Sequence, residues 1–409
     1  MKIKTVRGTN DYLPYEMRIR DYLQKKILET YTKCGFERIA TPIMESIENL
    51  DKSEGGENLN LIFKILQRGE KLTQVLEAKD YEKLADMGLR YDLTLPLARY
   101  FANNRANLLM PLKSIQIDRA FRAERPQKGR LREFIQCDID IIGSDSIDCE
   151  IELIDTTAKA LMNVGITDFT VKLNDRRILK SVLLKTGFTL EELDSVCITF
   201  DKLDKIGIEG VCSELSEKGF ISEVILRFSE LLKKMPLSFE EVKKYCGEES
   251  VCETIEQILK AIQSLSKGKY QIRYDMSLVR GQGYYTGTVF EIESEKFSGA
   301  VAGGGRYNGL IGKFTNEEIP AVGFSIGFER IAGILKESGF CIPEETKRIV
   351  LFYEEGQITQ AIQKAEQFRS EYEVKLFLKP KKLGKTLSHF EEQGFCGYLT
   401  MEQTEVKLF

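Results

Sequence analysis

The sequence holds one histidine, His389, in KTLSHFEEQG near its C-terminus. That scarcity excludes histidine-rich metal sites. A Ser-His-Asp triad would have to use His389, and no G-x-S-x-G elbow accompanies it. The nine cysteines include no C-x-x-C pair, which argues against a zinc ribbon or a redox motif. Their odd number and scatter fit a reduced cytosolic setting. No run of about 18 apolar residues occurs, so no membrane span is expected. The start, MKIKTVRGTNDYLP, lacks the apolar core of a signal peptide. Two nucleotide signatures are missing as well: G-x-x-x-x-G-K-[ST], and a G-x-G-x-x-G that opens a helix after a strand. A bound nucleotide would therefore be gripped by arginine side chains on a sheet, and any catalysis would rest on arginines, carboxylates and backbone.

What is present is ordinary in bulk. The 409 residues are 42% hydrophobic and 10% aromatic, as in a soluble globular protein. Fifty-nine basic residues against 63 acidic ones leave a net charge of −4, so bulk charge announces no nucleic-acid partner. A local basic surface remains compatible with that balance. Single cores stop growing at roughly 250–300 residues, so two or three domains are expected.

Patterning organises the chain. Residues 15–35 form an amphipathic helix with Ile19, Leu23, Ile27 and Tyr31 in step and Gly35 as the stop. FERIATPIMES is a strand leading into Pro42. Residues 61–74 resemble a hairpin turning at Arg68-Gly69-Glu70. A strand near Leu89–Asp92 precedes a helix with Thr94 as N-cap and Pro96 in its first turn. SIQIDRAFRAE is a strand. In REFIQCDIDIIG, Ile135, Cys137, Ile139 and Ile141 fall on one face and Gln136, Asp138 and Asp140 on the other. That pattern is a half-buried strand whose polar face is either a working surface or plain solvent-facing sheet. Residues 148–163 are helical and TDFTVKLND is a strand. Residues 176–265 break into short amphipathic helices. Strand patterns resume in QIRYDMS, GTVFEIES, SGAVAGGG and AVGFSIG, and strand and helix alternate from about 342 onward. The fold class expected is α+β: an antiparallel sheet core with flanking helices, a helical insert, and an α/β tail.

Four segments concentrate the chemistry. FRAERPQKGRLREF carries four arginines between Phe121 and Phe134, and arginine presents a fork suited to phosphate or carboxylate oxygens. SLVRGQGYYTGTVFEIES sets Arg280 in a glycine-rich bend. SGAVAGGGRYNGL places three glycines before Arg306 and Tyr307, a weak signal alone because such a run is often a flexible turn. AVGFSIGFER carries Gly323, Gly327 and Arg330.

In this order and spacing the four segments resemble a class II aminoacyl-tRNA synthetase of the histidyl-tRNA synthetase family. FRAERPQKGRLREFIQCDIDIIG is similar to the motif 2 loop and its following strand. LVRGQGYYTGTVFE and GAVAGGGRYNGL resemble the two histidine-specific signatures. AVGFSIGFER resembles motif 3, FERIATPIMES motif 1, and RGTNDYLP the family's opening. The resemblance spans nearly the whole chain. It implies a histidine–tRNA ligase that activates L-histidine with ATP and Mg²⁺, then transfers the histidyl group to the 3′ end of tRNA(His). It also implies a cytoplasmic homodimer with no membrane partner and no dedicated protein metal site. On this resemblance Arg122 and Arg280 are catalytic at the α-phosphate. Glu124 holds adenine, Arg130 grips ATP, and Arg330 holds the γ-phosphate. Asp92, Thr94 and Gln136 hold the α-amino group, Arg280 also meets the substrate carboxylate, and Asp140 and Tyr285 read the imidazole with Tyr307 nearby. Gln136 and Asp140 would stand roughly 13 Å apart along the strand. Asp140 stands where a family glutamate is expected, and Gln282-Gly283 where Leu-Asp is common. Asp138 is left open between ligand and structural carboxylate, and His389 and Tyr284 are structural.

The domains implied are a catalytic core over 1–340, the insertion at 176–265 within it, and a shortened anticodon-binding-like domain over 341–409. The rival reading is the catalytically inactive, histidine-sensing regulatory subunit of ATP phosphoribosyltransferase, which shares this core but has lost catalytic arginines. A non-enzymatic RNA-binding module is a third reading, and it would not need the ATP arginines.

Overall fold

The computed structural model describes residues 3–52, 60–127, 129–279, 285–297, 299–343 and 346–409. It divides into two compact units, Met1–Asp11 with Leu23–Ser338 and Tyr12–Tyr22 with Gly339–Phe409. The strands, in chain order, are β1 (Glu37–Arg38), β2 (Met44–Ser46), β3 (Phe63–Leu66), β4 (Ala85–Leu89), β5 (Leu112–Phe121), β6 (Glu133–Ile142), β7 (Phe169–Asp175) and β8 (Gln271–Tyr274). They continue with β9 (Thr288–Ser294), β10 (Ala300–Arg306), β11 (Ala321–Gly327), β12 (Arg348–Tyr353), β13 (Glu373–Leu378), β14 (Gly397–Thr400) and β15 (Lys407–Leu408).

The large unit is built on an eight-stranded sheet ordered β1-β5-β6-β11-β10-β9-β7-β8. Its pairs are antiparallel except at the two edges, where β1–β5 and β7–β8 run parallel. β5 and β6 pair without a break from Leu112↔Ile142 to Phe121↔Glu133. The alternation in β6 explains this pairing: Cys137, Ile139 and Ile141 are fully buried on one face. Tyr31, from helix Pro14–Lys33, donates its hydroxyl to the Cys137 carbonyl at 3.4 Å. Gly35 ends that helix region in the left-handed conformation, φ 85°. The polar face of β6 is buried too, so the strand is not half-buried as its alternation suggests. Gln136, Asp138 and Asp140 face a cavity instead of solvent.

The GGG run is strand, as the SGAVAGGG pattern suggests, and packing explains the glycines. Gly304 lies in register between Phe290 of β9 and Phe324 of β11. The two rings close over it with centroids 4.6 Å apart, and a Cβ there would stand 2.7 Å from the Phe290 ring. A side chain would pry apart the apolar side of the sheet.

Two local expectations change. Residues 61–74 are not a hairpin: β3 pairs with β4 in a three-stranded sheet ordered β2-β4-β3, and Glu70–Ala78 is helical. Leu72, Val75 and Leu76 recur at helical spacing, which outweighs the turn signal of Gly69. Thr94 is the first residue of helix Thr94–Asn104 and does not cap it. Asp92 does that work, its Oδ1 accepting from the Leu95 N–H at 3.1 Å. FERIATPIMES forms two short strands, β1 and β2, on either side of Pro42.

Residues 176–266 form six helices, from Arg176–Thr186 to Glu249–Ser266. Phe188, Phe200 and Phe228 meet edge to face in their core. Ser238 and Glu241 form a capping box at the start of Phe239–Tyr245. The second unit has a four-stranded sheet ordered β13-β12-β14-β15, parallel except at β15. Its two faces carry separate apolar clusters, Ile349, Leu351, Ala361, Ala365 and Leu399 on one and Val350, Phe352, Phe390 and Phe395 on the other. Helix Ile358–Glu366 covers the first and helix Leu383–Glu392 the second, as an α/β layer arrangement requires.

Removing the ring that closes over Gly304 tests the packing account. Phe290→Ala should destabilise the large unit by about 3–5 kcal/mol, read as a lowered midpoint in urea unfolding. A change below about 1 kcal/mol would mean that the two rings do not hold the sheet.

Candidate functional site

Register brings the polar residues together. Opposite Asp140, Asp138 and Gln136, β5 presents Ser114, Gln116 and Asp118, while β11 presents Gly323, Ser325 and Gly327. The β11 partners are small, so the β6 side chains lean toward that strand over open backbone. A Cβ on Gly323 would overlap the Asp140 carboxylate. One on Gly305 would stand 2.8 Å from the Tyr285 ring. These two glycines are the space that Asp140 and Tyr285 occupy. The resulting cavity is about 460 Å³ and is lined by Thr94, Arg122, Gln136, Asp138, Asp140, Tyr285 and Tyr307, with Glu124, Arg130, Glu329 and Arg330.

One end of it is anionic. The Tyr307 hydroxyl donates to Asp140 Oδ1 at 2.6 Å. Gln136 Nε2 donates to Ser325 Oγ at 3.2 Å and lies 3.4 Å from Asp138 Oδ2. Asp92 Oδ2, Gln136 Oε1, Asp138 Oδ1 and Asp140 Oδ2 are buried with no hydrogen-bond partner among the described residues. Burial pushes the Asp140 carboxyl up to about 7, the Tyr307 hydrogen bond opposes this, and the Asp92 charge adds to it. Burial, then the charges of Asp140 and Asp92, hold the Asp138 carboxyl well above its usual range. Burial raises Asp92 as well, against hydrogen bonds from Leu95 and Thr94 and the charge of Arg122. Three acids that resist ionising together, with acceptor atoms left over, form a receptor for a cation or for N–H donors.

The other end carries arginines. Arg122 donates from Nε to the Tyr91 carbonyl at 3.0 Å and lies 5.0 Å from the centre of the Phe134 ring. Phe134 is thus a platform for a cation as well as an anchor for its strand. Arg130 faces Glu124 across the hairpin at 3.5 Å, in a half-exposed pair that yields easily to a phosphate. The tip closes through Gln127 and Arg130, with Gly129 at φ 74°. Arg330 hydrogen-bonds the Ala300 carbonyl beside the Phe297 ring. Asp92 stands behind the cavity wall, not in it, beside Leu93, whose carbonyl accepts from Gln116 Nε2 at 3.0 Å. Arg280, Gln282, Gly283 and Tyr284 lie outside the described residues. His389 is exposed on its helix, a ring nitrogen 2.9 Å from Gln393 Nε2.

Sequence patterning leaves Asp138 open, singles out Gly323 within AVGFSIGFER without linking it to Asp140, and does not reach Ser325. Asp138 is legible only as one of three polar residues in the alternation. Ser325 and Gly323 become meaningful once the β6–β11 register is known.

The profile of the family described as histidyl-tRNA synthetase matches residues 8–331. A histidine–tRNA ligase of Leifsonia xyli subsp. xyli is 41% identical over 85% of this chain and 83% of its own. One from Cytophaga hutchinsonii is 35% identical over 98% of this chain and 92% of its own. The chain belongs to the histidyl-tRNA synthetase family. A solved family member from Nostoc sp. superposes with a TM-score of 0.78 at 26% identity, over 97% of this chain and 91% of that one. A Bacillus halodurans structure titled as an ATP phosphoribosyltransferase regulatory subunit/histidyl-tRNA synthetase superposes equally well, TM-score 0.77, over 98% of both chains. At 19% identity that likeness shows only the shared fold, so the fold does not separate ligase from sensor. Family membership supports the ligase through the sequence, and retained arginines at the anionic-ligand end agree with it.

The raised Asp140 carboxyl has a consequence for stability. Its folded pKa of about 7 exceeds its usual 3.8, so the folded chain holds this proton more tightly than the unfolded chain. The stability so linked is complete below about 3.8 and is lost as pH rises through about 7. Asp140→Asn should therefore raise the melting temperature at pH 8 and change it little at pH 4, measured by calorimetry. An equal shift at both pH values would rule out the proton linkage.

Proposed function

We propose that this chain activates L-histidine with ATP, forms histidyl-adenylate and pyrophosphate, and passes the histidyl group to the 3′ end of tRNA(His). One observation carries the reading: a single cavity joins an acid-rich end suited to a cationic amino acid with an arginine-bearing end suited to a triphosphate. Asp140 and Tyr285 read the imidazole, with Tyr307 fixing Asp140. An apolar analogue would leave the buried carboxylate unpaired, which is the strong form of discrimination. Gln136 and Thr94 hold the α-amino group, and Asp92 acts through the start of the Thr94–Asn104 helix that it caps.

At the other end Arg122 contacts the α-phosphate, where negative charge concentrates in the transition state. Its position is fixed by the Tyr91 carbonyl and the Phe134 ring, so little reorganisation is needed as that charge develops. Glu124 takes the adenine amino group, Arg130 closes from the returning strand, and Arg330 holds the γ-phosphate. Arg280 is assigned to the α-phosphate and the substrate carboxylate by family resemblance. Mg²⁺ accompanying ATP would supply charge neutralisation at the phosphates, and Glu329, which lines the cavity with Arg330, would be a carboxylate able to help hold it.

The small β2-β4-β3 sheet leaves Met44 and Leu66 exposed, with exposed Ile43 next to Met44, which fits a homodimer interface. The second unit is assigned to the tRNA anticodon stem, with Phe377 exposed near Lys379, Lys381, Lys382 and Lys385. No helix among the described residues is long and apolar enough to cross a membrane, and all nine cysteines are free, as a cytoplasmic enzyme allows.

Charging of tRNA(His) and histidine-dependent ATP–pyrophosphate exchange test this reading. The parent should show both, and Arg122→Ala, if folded, should lose exchange at least about 100-fold. Histidine binding without exchange in the parent would favour the sensor. Exchange without charging would place the deficit in tRNA recognition.

A further inference from the structure

Arg306 is buried and does not line the cavity, yet it adjoins two cavity tyrosines: its carbonyl bonds the residue after Tyr285, and Tyr307 follows it in the chain. Its Nε and Nη2 donate to the two oxygens of Glu150 at 2.7 and 2.6 Å. Nη1 reaches the Ser144 carbonyl at 3.3 Å and Asp145 Oδ1 at 3.1 Å, and Nη2 reaches the Ser146 carbonyl at 3.2 Å. Glu150, in helix Asp148–Asn163, is only 1% exposed, and its Oε1 also accepts from Thr288 Oγ1 at 2.7 Å. The Arg306 carbonyl accepts from the Thr286 N–H at 2.8 Å, next to Tyr285. The following residue is Tyr307, whose N–H is fixed by the Ala321 carbonyl at 2.7 Å and whose hydroxyl holds Asp140.

We propose that Glu150 and Arg306 are positioning residues for histidine recognition: their bidentate pair, braced by Thr288, sets the end of β10 so that Tyr307 delivers its hydroxyl to Asp140. This rests on the assignment of Asp140 to the imidazole. A bidentate Arg–carboxylate pair is geometrically stiff, and a buried one is costly to break on one side. A mere strut would also need such a pair. What distinguishes this one is its place in the chain: one peptide bond separates Arg306 from the residue that tunes the Asp140 carboxyl.

The proton on Asp140 reports the position of Tyr307. Around Asp140 stand the Tyr307 hydroxyl, Asp92 behind the Thr94 helix, Asp138 on the same strand, Ser114 on β5, Gly323 on β11 and Tyr31 on the opposite side of the sheet. The hydrogen bond from Tyr307 favours the ionised carboxylate. Loosening it moves the Asp140 titration upward.

The test compares Glu150→Gln, the milder Thr288→Val, Tyr307→Phe and the two double variants with Tyr307→Phe, by histidine-dependent ATP–pyrophosphate exchange across pH. Free histidine titrates near 6.5 in every assay, so only differences from the parent are read. Glu150→Gln and Tyr307→Phe should each move the acid limb of kcat/KM for histidine upward by about one pH unit. Each should raise the histidine KM about tenfold with kcat altered less than about threefold. Thr288→Val should shift the limb in the same direction by less. In the Tyr307→Phe background neither Glu150→Gln nor Thr288→Val should move the limb further. If Glu150→Gln does not fold, Thr288→Val alone decides. A lowered melting temperature with an unmoved pH limb, or a further shift in the Tyr307→Phe background, overturns the proposal. Loss of all exchange in the parent would instead refute the synthetase reading on which it rests.

Discussion

Tyr307 donates its hydroxyl to Asp140 across 2.6 Å inside a pocket that Asp138 also lines, with the buried Asp92 close behind its wall. Three carboxyl groups buried in one place cannot all ionise cheaply, and each is pushed above its ordinary range. The fold tolerates them by two means. Glycine on the neighbouring strands gives the side chains room to lie along the sheet, and tyrosine, glutamine and backbone N–H groups occupy some of their oxygens. What remains is a surplus of buried acceptors that a ligand with N–H donors and positive charge relieves. The energy that those unpartnered acceptors cost is available for selecting that ligand.

The other half of the cavity inverts the charge. Arg122 is fixed through its Nε and lies over the Phe134 ring, so its fork is directed by the protein itself. Preorganised cations of this kind act where charge develops in the reaction. Both halves share the β5–β6 hairpin: β6 carries Asp138 and Asp140, and the loop carries Arg122, Glu124 and Arg130. The apolar side of the same sheet, closed by Phe290 and Phe324 over Gly304, keeps the hairpin and its partners in register.

Much of this was legible in the chain. The β6 alternation places Gln136, Asp138 and Asp140 on one face, and the helical insert and the alternating tail stand out by period. The family motifs identified most cavity residues. Other features needed tertiary register. Burial of the polar β6 face depends on what covers it, which alternation does not encode. The GGG run fits a strand by its place in SGAVAGGG and a flexible turn by its composition, and only Phe290 and Phe324 closing over it show why glycine stands there. Thr94 resembles an N-cap, but Asp92, two residues earlier, reaches the Leu95 N–H. Gly69 resembles a hairpin turn, whereas β3 finds its partner in β4 and the following residues take the helical period. Glu150 and Arg306 are 156 positions apart, and no local pattern could pair them.

A crystal structure with L-histidine and a non-hydrolysable ATP analogue tests the central claim most directly. The account predicts an imidazole N–H within about 3 Å of Asp140 Oδ2, with Tyr307 still bonded to Oδ1 and the triphosphate against Arg122 and Arg330. An imidazole seated away from Asp140, with that carboxylate still unpaired, would contradict it.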